Sequence, residues 1–595
     1  MKLSPLVLTN SDLLQWCTTR LVSSRAQFEA AAAADGNQLI VLRFELQPDD
    51  MSKPQGSSSY TIVFSSPNML RNVLLAIEGK PDGVNLSTDG TYKIALCGWV
   101  LVDMGTTSLY FDRKGDAWRH KFFPFLYIFC RTERADRVAV GFEVLRDCTA
   151  NFFERPAFVP RILQIDHTEA FVNGARTVWG DAVDVATCWP HMARKALGDN
   201  KGLFQNQAFF QTAEKHMHKL HLARTLPQFL NIWGAVKREW EAAGELALVA
   251  WFQQYYITQP WAAWFVTASG VPGIPSNNQP IESEHKLIKV KKITELRAVM
   301  GRVLHKQFPH LLKSAADPQS AQVGVPIAGT YAIACGTKPV PIPREVLFQA
   351  KEFLEPGPGG RLNYKLFDIR VPGQAGAEAT VVKALAVNSS HHTVKLVAGG
   401  RANVSEQRIR NYRRCMQEAV EFDSVDAAEY AALSMYIVER RARPRRHGHP
   451  AAAPGNAPEE PPVDVDSDTE VFYFCRCKGS FQTGGLCSHI LLMRHLDGDF
   501  DIPTAVGEIS SVRRPGRPRK ATAALQPQPA EDPRSPPASF YVGAKFAKFF
   551  PALSPVAFHG KVVDTRRVLG QNIAANILYK IQYRIYINYC PVLNI

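Results

Sequence analysis

The sequence predicts a mixed α/β protein with a helical insertion, followed by small β-rich modules around one cysteine–histidine cluster. Three observations predict it. The strand-like runs TYKIALCGWVLVDMG and FFPFLYIFC lead into a helical stretch and then RILQID, the order of a mixed sheet with helices laid on it. Residues 188 to 265 repeat apolar side chains every three or four positions and are rich in tryptophan, as a buried helical bundle requires. Cys475, Cys477, Cys487 and His489 fall together on what reads as strand, turn and helix.

Taken in order, residues 1–83 pair a helical pattern (SDLLQWCTTRLVSSRAQFEAAAAA) with the strand-like LIVLRFEL, and read as an N-terminal α/β region. Residues 84–313 carry the mixed sheet, with the helical insertion at about 188–270 and a further helical stretch at 282–313. At 322–442 the pattern changes to short β runs such as ATVVKALAV and HHTVKLVAGG. The helical AAEYAALSMYIVERRAR closes that module. Residues 443–468, rich in Pro, Ala, Gly and acids, form a linker. The cysteine–histidine segment occupies 469–500, a basic linker 501–538, and a small β module 539–595. In the last, ILYKIQYR resembles the closing strand of a Tudor- or chromo-like barrel and runs into IYINYCPVLNI without the acidic turn expected there.

A chain of 595 residues exceeds one compact core, so several folded units are expected. Lysine and arginine outnumber acids to give a net charge of +14, which suits a polyanion such as DNA or RNA. The 11 cysteines are too sparse for a secreted disulfide framework. No signal peptide and no membrane-spanning run is read from the sequence, so a reducing intracellular compartment is expected.

Zinc prefers four soft or borderline ligands in a tetrahedron, and three thiolates with one imidazole supply them. Alternate residues of a strand point the same way, so Cys475 and Cys477 can face one ion. After nine intervening residues Cys487 and His489 open the helix SHILLMRHL. The set is closed, which suits a structural Zn2+ rather than a catalytic one. The CxC–CxH pattern resembles the SWIM zinc finger at all four ligand positions.

A two-metal phosphoryl-transfer site needs carboxylates brought from separate elements onto two Mg2+ ions. Asp89 stands in STDGTYK, Asp166 in LQIDHTEA, and Glu282 in SNNQPIES behind Asn277 and Asn278. Each acid alone reads as a surface group or a helix cap. Together these segments, with CWPHM at residues 188–192, resemble the successive motifs of Mutator-like transposases. The acids lie 77 and 116 residues apart with a helical insertion between the last two, and a SWIM finger downstream completes that layout. The resemblance covers about 84–290 plus the finger. It implies an RNase H-like fold, a DDE nuclease and strand-transfer site at Asp89, Asp166 and Glu282, and Mg2+ as its cofactor. Cys188 and His191 would belong to the insertion as a zinc pair without evident partners, a DNA contact, or a buried cysteine and a satisfied histidine. Asp103, Asp112 and Asp181 are nearby acids outside any motif.

Arg514, Gly516, Arg517, Pro518, Arg519 and Lys520 form a Gly-Arg-Pro core with cations on both sides. Such a core can lay Arg517 in an A·T minor groove, as an AT-hook does, with the flanking cations on phosphates. A nuclear-import signal is the other reading, and RRARPRRHGH at 440–449 is a second basic run. The expected function is therefore a nuclear DNA transposase, working on DNA as a homo-oligomer, or a domesticated derivative. The alternative is a non-enzymatic chromatin or transcription factor descended from one.

Overall fold

A computed structural model of the chain describes residues 10–47, 59–79, 83–95, 98–112, 114–293, 295–315, 342–356, 360, 362–371, 380–389, 404–444 and 469–511. The chain divides into a unit spanning Met1–Ser511 and a second spanning Val512–Ile595, and every described residue belongs to the first. The AT-hook-like core and the C-terminal β module lie outside the described residues.

Seven strands form the main sheet: β1 (Ile40–Gln47), β2 (Ser59–Ser65), β3 (Asn85–Thr91), β4 (Val100–Asp112), β5 (Ala117–Cys130), β6 (Ile162–Ile165) and β7 (Asp184–Thr187). Their order is β1-β2-β5-β4-β3-β6-β7. β3, β4 and β5 run antiparallel in succession, whereas β6 and β7 join parallel to β3. The mixed sheet expected from the strand–helix–strand order is present. The boundary drawn at residue 83 does not separate two units, because β2 pairs with β5 and β1 and β2 extend the same sheet.

The central strands read as continuous apolar runs because both faces are covered. Val100, Val102, Met104, Leu126 and Ile128 pack under the helices Ala135–Phe153 and Glu169–Trp179. Leu101, Tyr127 and Phe129 point the other way, onto Ile288, Val303, Phe308 and Leu311. At Gly105 a Cβ would stand 2.2 Å from the Phe123 carbonyl oxygen, so glycine permits the register shift between Met104 and Gly105.

The insertion is helical as expected, with Phe210–His221, Leu226–Ala242 and Leu246–Phe252 gathered around Trp240, Trp264, Phe229 and Phe252. Its core also takes Cys415, Val425, Ala428 and Leu433 from far downstream. Arg224, fully buried, joins the two segments. It donates to the Tyr412 hydroxyl at 2.8 Å and to the carbonyls of Ala432, Leu433 and Met435, and lies over the Tyr436 ring at 3.9 Å.

A second sheet has the order β11-β10-β9-β8, built from β8 (Tyr364–Val371), β9 (Thr380–Asn388), β10 (Met435–Pro444) and β11 (Thr469–Cys475). Two expectations change here. The segment read as one closing helix is a helix, Val425–Leu433, followed by β10: the β-branched and tyrosine residues of MYIVERRARP pair between β9 and β11. The 322–442 module and the cysteine–histidine segment are not separate, since β11 pairs with β10 with Val438 opposite Cys475.

Candidate functional site

The cysteine–histidine cluster forms where β11 ends. Cys475 is its last residue, Cys477 caps the short helix Lys478–Thr483, and Cys487 caps the helix Ser488–Leu496, which carries His489 in its first turn. KGSFQTGG, expected as a plain turn, contains that short helix, and Gly484 ends it in the left-handed region at φ 73°. All four residues are buried, and their ligand atoms lie within 4.8 Å of one another. The His489 Nδ1 stands 3.7 Å from the Cys475 sulfur and 3.9 Å from that of Cys487, and the ring packs on Tyr436. Burial pushes the Cys475 and Cys487 thiols well above their ordinary value, and hydrogen bonding with Cys477 adds to it. Three thiols this close cannot all ionise without a cation among them, so the donor set fits a metal ion such as zinc.

The acids converge at the centre of the main sheet. Parallel pairing sets Ser87 opposite Gln164, and that register, carried on by two residues, brings Asp89 of β3 level with Asp166 just past β6. Asp89 accepts from the Gly90 amide at 2.8 Å. Its carboxyl is pushed up to about 7, chiefly by burial, with Asp166 and Glu133 adding to the rise and His285 opposing it. Asp166 accepts from the Thr168 hydroxyl. The Glu133 carboxylate lies against Gly90, so that a Cβ there would stand 1.5 Å from Glu133 Oε1 and push that side chain aside.

Glu282 lies in the first turn of the helix Gln279–Leu287, and its carboxylate faces the His191 Nδ1 at 3.5 Å. Cys188, His191 and Glu282 offer ligand atoms within 4.8 Å of one another. Asp166 acts electrostatically on Cys188 and His191 as well as on Asp89. The fold thus brings Asp89 to Asp166, and Glu282 to Cys188 and His191. Asp112 pairs with Arg119, and Asp181 is almost fully exposed beside Arg176; both take no part.

Three groups join the site that the motifs did not single out for it. Asp103, fully buried on β4, is the direct cross-strand partner of Asp89. His285 lies between these two, 3.5 Å from Asp89 and 3.4 Å from Asp103. Burial works against its protonation, but Asp103 and then Asp89 outweigh that and raise the ring above its ordinary value. Glu133, past the end of β5, has burial as the main cause of its raised carboxyl. The i, i+3 spacing of Glu282 and His285 on one helix face was the available signal for His285. Pairing Asp103 with Asp89 required the β3–β4 register.

Comparison with family models, curated proteins and solved structures gives no match to this chain. The site therefore stands on its own geometry. Among the described residues no helix is long and apolar enough to cross a membrane.

Proposed function

We propose that this chain is a DNA-handling protein of the Mutator-like transposase type, with an RNase H-like catalytic domain and a SWIM-type zinc finger. The observation that carries the reading is the placement of Asp89 on β3 level with Asp166, just past the end of the parallel neighbour β6, with an acid-bearing helix beside them. Carboxylates held rigidly on neighbouring elements are what a divalent-metal phosphoryl-transfer centre needs, and Asp103 adds another buried acid next to Asp89. Asp103 Oδ1, Glu282 Oε1 and one oxygen of Glu133 are buried without a hydrogen bond, and Asp103 Oδ2 faces the His285 ring at 3.4 Å, so the donors present fit hard cations.

When bound, Mg2+ would supply an activated oxygen nucleophile and stabilise the leaving oxygen of a phosphodiester. Asp89, Asp166 and Glu282 would hold the ions. Glu133 would cover Gly90, and protonated His285 would balance the Asp89–Asp103 pair. The Cys475–Cys477–Cys487–His489 set would hold one structural Zn2+. The net charge of +14 supports DNA as the partner, and nuclear placement follows from that substrate.

One observation favours the second reading, a non-enzymatic chromatin or transcription factor of transposase descent. Glu282 is turned towards His191 and Cys188 rather than paired with the two aspartates. Nicking of supercoiled plasmid by the full chain with Mg2+ separates the two. Cleavage by the wild type that is lost in Asp89→Asn and Asp166→Asn, with DNA retention kept, supports the enzyme. Cleavage unchanged in either variant removes that residue from the site, and none by the wild type supports the factor.

A further inference from the structure

Cys188 caps the short helix Trp189–Arg194, and His191 follows one turn later on the same face. The segment before Glu282 is fastened to this helix. The Trp189 amide donates to Ser276 O at 3.2 Å, the Asn278 amide donates to the Cys188 sulfur at 3.2 Å, and the Gln164 side-chain amide donates to Asn277 O at 2.5 Å. These bonds fix the thiol, the imidazole and the carboxylate within 4.8 Å of one another. Cys188 is 1% exposed. His191 Nδ1 and Glu282 Oε1 are both buried, and neither has a hydrogen-bond partner. Buried, unpartnered polar atoms facing each other are costly unless something bridges them.

We propose that Cys188, His191 and Glu282 form a second metal site, for a transition-type divalent ion of the zinc class. A thiolate and an imidazole favour zinc over magnesium, and three protein ligands leave a fourth tetrahedral position for water or an incoming oxygen ligand. Binding releases the Cys188 thiol proton to solvent and forms the sulfur–metal bond in its place. The inference rests on this geometry and not on the cleavage reading.

The test is metal analysis of the purified full chain, equilibrated with zinc and freed of excess, with no Mg2+ or DNA present. The wild type should carry two zinc ions per chain. Cys188→Ser and His191→Gln should each carry one, as should Cys475→Ser, and the Cys188→Ser/Cys475→Ser double variant none. Cobalt substitution separates the sites, because the second has one thiolate and the first three. Far-UV circular dichroism checks folding, and if Cys188→Ser fails to fold, His191→Gln gives the same count. One zinc per wild-type chain that Cys475→Ser abolishes would overturn the proposal, as would two that persist in both Cys188→Ser and His191→Gln. Neither result bears on plasmid nicking.

Discussion

Replacing Asp89 by Asn removes a charge that the fold holds at a cost. Asp89 is pushed up to about 7 from an ordinary 3.8, first by burial and then by Asp166. A carboxyl with a raised folded-state pKa binds more protons folded than unfolded between those two values. Stability is therefore full below about pH 4 and is lost as pH rises through about 7. About three pKa units correspond to a ceiling of about 4 kcal/mol, lost in full by about pH 8, of which roughly 1.5 kcal/mol is already lost at about pH 5. Asparagine keeps the Oδ1 that accepts from Gly90 and carries no charge. Asp89→Asn should thus raise the chelator-treated protein's melting temperature at about pH 8 and do so less at about pH 5. A differential of about 2.5 kcal/mol corresponds to roughly 2–3 °C for a unit of this size. Scanning fluorimetry in EDTA at the two pH values reads it. Excess Mg2+ should then recover the wild type at the higher pH and leave the variant unmoved. An equal shift at both pH values, or a variant less stable at the higher one, would refute the argument that Asp89 is a buried, ionisable carboxylate.

Other outcomes follow from the same geometry. Arg224→Met should strand the carbonyls of Leu433 and Met435, with Ala432 O left to the Gln228 amide, and cost about 2–4 kcal/mol, read as faster proteolysis of the 404–444 segment while the main sheet stays protected. Arg517→Ala, in the AT-hook-like core, should cost about 1–3 kcal/mol on A·T-rich duplex and little on G·C-rich duplex, measured by titration at fixed salt. Lys520→Ala should weaken both duplexes alike and flatten the salt slope by about one.

What the sequence made legible was what depends on local order. Apolar runs gave the central strands, three- and four-residue spacing gave the insertion, and CxC–CxH grouped the four buried cysteine and histidine ligands, although Cys477 caps a short helix beyond the strand that was expected to carry it with Cys475. What stayed hidden depends on long-range pairing. β10 carries the alternation of MYIVERRARP, but the helix-forming AAEYAAL before it invites one long helix, and only β9 and β11 on either side decide for strand. Asp103 looks like any acid in a strand until the register puts it across from Asp89. Cys188 and His191 could be paired with each other by spacing, but Glu282 lies 91 residues beyond His191, and the bonds from Trp189 and Asn278 bring it there.

From sequence, the effect of removing a metal from the cysteine–histidine cluster is expected to stay local, because that segment reads as an independent module. The structure argues otherwise. Phe481, on the short helix between Cys477 and Cys487, packs with Phe474 against Val266 of the insertion, and its carbonyl accepts from the Gly273 amide at 2.7 Å. Gly273 opens the segment that runs through Pro275, whose carbonyl accepts from Gln164 of β6, to Asn278 and Glu282. The cluster's short helix therefore holds one end of the strap that positions the glutamate. In Cys475→Ser, hydrogen exchange should rise over 469–496 and also over 271–285, while β4 and β5 stay protected. If the protein nicks plasmid, that variant should cleave more slowly than its loss of DNA binding explains. Exchange confined to 469–496 would mean that the Phe481–Gly273 bond carries no load, and that the finger serves only its own module.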